Sequence, residues 1–186
     1  MKEMKRHGFS LVELLIAIAV SAIVMASVIA LMGYTSRSMN STQKKVSLQE
    51  QAKDATNHIS VYVQEGNKVT WDDTKKLLTI EKYTVDNTLE KAAVDPSKTI
   101  YSFYYYNAAA QIICFDTGAD ASKGDALIGL DAANAKRHML VDHVTQFDCK
   151  QEQAVENGRQ ILRVSIGLKN DDVKYVGKKD ITMRNQ

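Results

Sequence analysis

The chain is poor in residues that break or brace a backbone. Its one proline is Pro96, so nothing between Phe9 and Gln64 removes a backbone donor or forces a kink, and the stretch from Met39 to Gln64 also lacks glycine. Two cysteines are present, Cys114 and Cys149, and neither has a second cysteine or a histidine at ligand spacing, which argues against a zinc site. There is no glycine-rich phosphate loop, no pair of catalytic carboxylates and no activated nucleophile, so no enzyme and no cofactor is expected. Charge is nearly balanced, with 24 basic and 22 acidic residues. From Leu14 to Ser36 there is no charge at all.

That uncharged run is mostly Ala, Ile, Leu, Val and Met. At about 1.5 Å per residue, a helix over it is long enough to cross a hydrocarbon core of roughly 30 Å. One carboxylate, Glu13, lies inside its leading edge. An acidic residue at the centre of a membrane helix costs roughly 2.5 to 3.5 kcal/mol, so such a group is usually paired or functional.

The residues around Glu13 carry a resemblance. A short basic leader precedes Gly8, then Phe9-Ser10-Leu11-Val12-Glu13, then the apolar helix. This resembles the type III signal of type IV pilins and pseudopilins. The resemblance implies a prepilin peptidase that cuts between Gly8 and Phe9 on the cytoplasmic side and N-methylates Phe9. It also implies that Glu13 pairs with the Phe9 amine of a neighbouring subunit. Such a pair relieves the cost of a carboxylate in lipid and fixes the axial height at which a subunit enters a filament. Two other readings share part of the pattern. A plain signal anchor has basic residues before a span but no reason for the glutamate. A secretory signal peptide needs an A-x-A-like site, which Val28-Ile29-Ala30 imitates.

Processing changes the charge argument. Residues 1–8 take with them Lys2, Lys5, Arg6 and Glu3, which leaves 21 basic and 21 acidic residues. A chain with no net charge needs local clustering to hold a nucleic acid, and Lys44-Lys45 and Lys178-Lys179 are short pairs that read as solvated surface. No nucleic-acid partner is expected. The basic leader favours a cytoplasmic N-terminus, which puts the rest of the chain outside the cytoplasmic membrane. That compartment permits disulfides. A Cys114–Cys149 bridge is therefore expected, worth about 3 to 4 kcal/mol on a loop-entropy estimate, with two reduced, buried thiols as the alternative.

Beyond the span, Leu48, Ala52, Ala55, Ile59 and Val63 recur at helical spacing and form a one-sided stripe. The spacing predicts one nearly continuous helix from Phe9 to about Gln64, ended at Glu65-Gly66-Asn67. The period then changes to two. Val69–Trp71 and Leu77–Thr84 read as a hairpin around Asp72-Asp73-Thr74. Residues 86–98, with Pro96, read as an irregular connection. Thr99–Tyr106 and Gln111–Phe115 read as paired strands, Asp116–Ala135 as a patternless surface loop, and His138–Phe147 as a short strand leading to Cys149. Ile161–Leu168 alternates cleanly, and Val173–Val176 with Asp180–Met183 reads as a hairpin around Gly177-Lys178-Lys179. Two weaker resemblances lie in Leu140–Phe147 and in Thr182-Met183-Arg184-Asn185, which are similar to J-type minor pseudopilins and PilW-like minor pilins.

Among Tyr101, Phe103, Tyr104, Tyr105 and Tyr106, strand alternation sends the first, second and fourth one way and the other two the opposite way. One set is expected to pack on the helix stripe. His58 is placed on the polar side of the helix, and His138 and His143 on solvated surface. Asp116, Asp120 and Asp125 miss the spacing of a calcium loop. No metal is expected.

The chain thus reads as an α+β, pilin-like protein in which a long N-terminal helix packs on an antiparallel sheet. Its expected parts are a cleaved leader (1–8), a transmembrane and filament-core helix (9–36), an amphipathic helix (37–65) and an extracytoplasmic sheet domain (66–186). The resemblance implies a minor pilin of a type IV pilus with a priming, tip or adhesion role. A pseudopilin of a type II secretion or DNA-uptake system is the alternative, and a monomeric membrane-tethered binding protein is the third. Implied partners are the prepilin peptidase, other pilin or pseudopilin subunits, the inner-membrane assembly platform and, before assembly, membrane lipid.

Overall fold

The structure, a computed structural model, describes residues 10–86, 93–153 and 160–183. The chain divides into two compact units, residues 1–43 and 44–186, and the first helix, α1 (Leu11–Glu65), has residues in both. In the first unit every described side chain is exposed, including Leu14, Ile18, Ile23, Ile29 and Leu31. Four of its hydroxyls bond back to the helix: Ser21 donates to the Ala17 carbonyl, Ser27 to Val24, Thr35 to Leu31 and Thr42 to Ser38. Hydroxyls that fold back onto helix carbonyls in this way are tolerated in lipid.

The second unit is built on the predicted stripe. Leu48, Ala52, Ala55, Ile59 and Val63 are all buried. They pack with residues from two antiparallel sheets: β1 (Lys68–Asp72), β2 (Leu77–Asp86), β3 (Ala93–Asn107), β4 (Ile112–Gly118) and β5 (Met139–Val141) in that order, and β6 (Val144–Gln153), β7 (Gln160–Asn170) and β8 (Val173–Thr182) in the other. The clean alternation of β7 places Leu162, Val164, Ile166 and Leu168 in the core. Each such side chain is worth about 1.5 to 3 kcal/mol when fully buried. The α+β architecture, long helix against antiparallel sheet, is as the sequence implies.

The helix ends at Glu65, with the Gly66 amide donating to the Tyr62 carbonyl at 2.9 Å. Glycine is needed at this stop for space: a Cβ on Gly66 would lie 2.5 Å from a methyl of Ile80. The β1–β2 hairpin forms where expected. Asp72 closes its turn by accepting from the amides of Thr74 and Lys75, both at 3.0 Å.

Four expectations are corrected. First, the connection drawn over residues 86–98 is partly strand. β3 starts at Ala93 and pairs with the end of β2, and Pro96 falls in a register shift where Lys82 pairs Ile100 but Thr84 pairs Asp95. A proline that cannot donate to a ladder is tolerated at such a bulge. Second, Asp116–Ala135 is not patternless. It holds α2 (Lys123–Ile128) and α3 (Ala132–Ala135), followed by a 3-10 turn at Lys136–His138. Its few apolar residues, Leu127 and Ala135 above all, suffice because they cover Leu77, Phe103, Ile112 and Cys114 in a second, smaller core. Third, His138–Phe147 is not one strand: β5 and β6 belong to different sheets, and His143 turns the chain between them at φ 58°. Fourth, the terminal hairpin around Gly177 is a single strand, β8, and the turn before it is at Asp171, φ 51°. Gly177 lies mid-strand because α1 crosses it closely; a Cβ there would sit 3.1 Å from the Cβ of Ala52.

Candidate functional site

The site predicted from sequence lies at the start of α1. Gly8 and Phe9, where cleavage and methylation are expected, lie outside the described residues. Glu13 is in the first turn. Its amide donates to the Ser10 hydroxyl oxygen at 3.2 Å, and its carboxylate accepts from the Ser10 amide at 3.1 Å. This is a capping box, in which residues three apart satisfy two orphan donors of a helix end. The carboxylate thus sits at the positive end of the helix dipole, directly before the exposed apolar run.

Cys114 and Cys149, the pair expected to bridge, are both free and buried in this structure. Strand alternation explains it. On β4, Ile113 faces the main core, so Ile112 and Cys114 face the smaller one, while Cys149 on β6 belongs to the main core. The Cys114 thiol donates to the Ala135 carbonyl, and burial pushes it up to about 11. Burial, reinforced by the Asp148 charge, raises Cys149 further. Neither thiol is poised to react.

His58 was assigned to the polar side of the helix but is part of an aromatic cluster. Its Nδ1 is 3.0 Å from the Tyr104 hydroxyl, and its ring lies 4.7 Å from that of Phe115 and 5.0 Å from that of Tyr62. Burial lowers its pKa, and burial raises that of Tyr104 well above the ordinary phenol value. It is the pair Tyr104 and Tyr106 that packs on the helix side, whereas Tyr101, Phe103 and Tyr105 pack on the α2–α3 segment. The segment read as a loop thus covers the second aromatic face.

The remaining candidates are dispersed. His143 contacts Asp142 at 2.9 Å, and His138 lies 3.8 Å from Asp116. Asp120 accepts from the Ser122 amide, and Asp125 pairs with Lys75 at 3.0 Å. The three aspartates do not converge on one point. One arrangement escaped sequence reasoning: Lys76 bridges Asp73 at 2.7 Å and Asp148 at 2.9 Å, beneath a groove of about 730 Å³ edged by Trp71. A hydrogen bond from Lys76, then one from Gln146, holds the Asp148 carboxyl below the usual carboxylate range. Lys76 and Asp148 are 72 residues apart in the chain, and no spacing pattern links them.

A long helix with a capped glutamate at its head, followed by antiparallel sheet, is a pilin-like α+β architecture. Residues 4–29 match the family model described as "Prokaryotic N-terminal methylation motif". The match supports a type IV pilin-like or pseudopilin protein, a structural subunit rather than an enzyme. The motif implies processing by a prepilin peptidase and assembly with other pilin subunits. The apolar helix, long enough to cross a membrane by length and composition, fits a membrane-anchored pilin. No curated protein and no solved structure matches the chain.

Proposed function

We propose that the chain is a filament-assembling subunit, a minor pilin of a type IV pilus with a priming, tip or adhesion role. The observation that carries this is Glu13 at the head of a helix whose apolar side chains are all exposed through Gln43. A surface that apolar needs either lipid or other helices of its kind around it. Cleavage between Gly8 and Phe9 places a methylated, cationic amine four residues from Glu13. In the filament that amine, from a neighbouring copy, donates to the Glu13 carboxylate and neutralises its charge. Before assembly the helix spans the cytoplasmic membrane with its N-terminus in the cytoplasm, and residues 66–186 lie outside. The N-terminal motif serves pilins and pseudopilins alike, so a pseudopilin of type II secretion or of DNA uptake is the second reading.

The test is intact mass of the protein recovered from sheared filaments and membranes. A mass without residues 1–8 and with one added methyl is expected. A full-length mass, or one beginning near Leu31, overturns the reading in favour of a signal anchor or a secreted domain. Detection of monomer alone, with Glu13→Ala leaving function intact, favours a membrane-tethered binding protein instead.

A further inference from the structure

The two flanks of α1 in the sheet-packed unit carry opposite charge. Lys53 and Asn57 line a groove of about 340 Å³ with Tyr175, Lys178 and Lys179 of β8; its walls hold three lysines and no carboxylate. Gln51 and Asp54 line a second groove, of about 210 Å³, with Met139 and Asp142 beside β5; its walls hold two carboxylates and neither lysine nor arginine. The segregation follows from helix geometry. Ala52 and Ala55 face the core, so Lys53 and Asp54, about 100° apart around the axis, emerge on either side of the exposed back. Both are exposed, and among the described residues neither has an ion-pair partner.

Each groove also runs along a sheet edge, since β5 and β8 are the last strands in their orders. Each edge presents one large exposed apolar side chain, Met139 at 47% and Val176 at 50%. We propose that the two flanks are the halves of one interface between copies of this chain, the basic groove of one receiving the acidic flank of the next. This rests on the filament-assembling reading above. Complementary flanks on opposite sides make a head-to-tail contact that need not close, as a filament requires. Lys174, Lys178 and Lys179 along β8 oppose the pairing of two β8 edges with each other. A minor subunit built this way enters its filament as runs of adjacent copies.

The test is zero-length carbodiimide coupling of sheared filaments from cells making isotopically heavy and light full-length chain, read by peptide mass spectrometry. Heavy-to-light links between Lys53, Lys178 or Lys179 and Asp54 or Asp142 are expected. Lys53→Glu should abolish the links to Asp54, and co-expression with Asp54→Lys copies should restore coupling across positions 53 and 54. Filaments that contain the chain but couple these lysines elsewhere, or only within one copy, overturn the interface and leave the assembly reading standing. Filaments that never contain the chain overturn both.

Discussion

The amide of Ser10 and the carboxylate of Glu13 are 3.1 Å apart, and the Glu13 amide returns the bond to the Ser10 hydroxyl at 3.2 Å. The glutamate expected to bind a neighbour's amine therefore already has a partner in its own chain. A backbone amide is a neutral donor, so it satisfies one oxygen of the carboxylate while leaving its charge to be matched by a cation.

That division separates two variants. Ser10→Ala removes the hydroxyl that caps the helix, at a cost of about 0.5 to 2 kcal/mol on the usual scale of such caps. Glu13→Ala removes the cap's return bond and the charge together. Filament yield should fall modestly in the first and vanish in the second, as read by quantifying the chain in sheared material against membranes. Equal loss in both would make the cap, not the charge, the assembly determinant.

Both thiols should resist alkylation in the folded protein and react fully in denaturant. Buried and raised to about 11, Cys114 has almost no thiolate at neutral pH, and Cys149 has less. Alkylation without reductant, followed by intact mass, should report two modified cysteines. A mass two hydrogens light and unmodified would instead reveal the bridge.

Acid should weaken the fold in two stages. The folded pKa of His58 lies below its unfolded value near 6.5, so the unfolded chain binds the proton first and stability rises with pH. Its contribution is complete above that value and is lost as pH falls through the lower folded one. Asp148, also depressed when folded, contributes above the ordinary aspartate value and loses that contribution at lower pH still. Urea midpoints measured from pH 8 to 3 should show both, and His58→Phe should flatten the first stage only.

Gly177→Val should destabilise the fold by about 1 to 3 kcal/mol, the usual cost of overpacking. The first added carbon would stand 3.1 Å from the Cβ of Ala52, and the helix has nowhere to retreat without opening the core at Ala55 and Ile59. Adding Ala52→Gly should recover part of the loss despite its own helix cost of about 1 kcal/mol. Strict additivity of the two, in a double-mutant cycle, would show that the contact is not tight.

Periodic features were legible, and singular ones only in part. Leu48 to Val63 and Leu162 to Leu168 announced the core because burial on one face imposes a repeat that survives any detail of packing. Gly66 was legible as a stop, though its reason is the Ile80 methyl rather than backbone handedness. Gly177 misled because glycine marks both a turn and a close approach, and only the position of Ala52 tells them apart. Leu127 and Ala135 were too sparse to form a pattern, yet they cover Phe103 and so decide which aromatic face is buried.

The sequence by itself determined the N-terminal half: an uncharged run long enough for lipid, a glutamate three residues after a serine, and no proline to interrupt the helix. These are local and continuous in the chain, so neighbours in sequence are neighbours in space. Only the tertiary structure decided that Cys114 and Cys149 lie in separate cores, that His58 meets Tyr104, and that lysines from α1 and β8 share one groove. Those pairs are tens of residues apart, and what joins them is the crossing of a helix over two sheets, which no local pattern encodes.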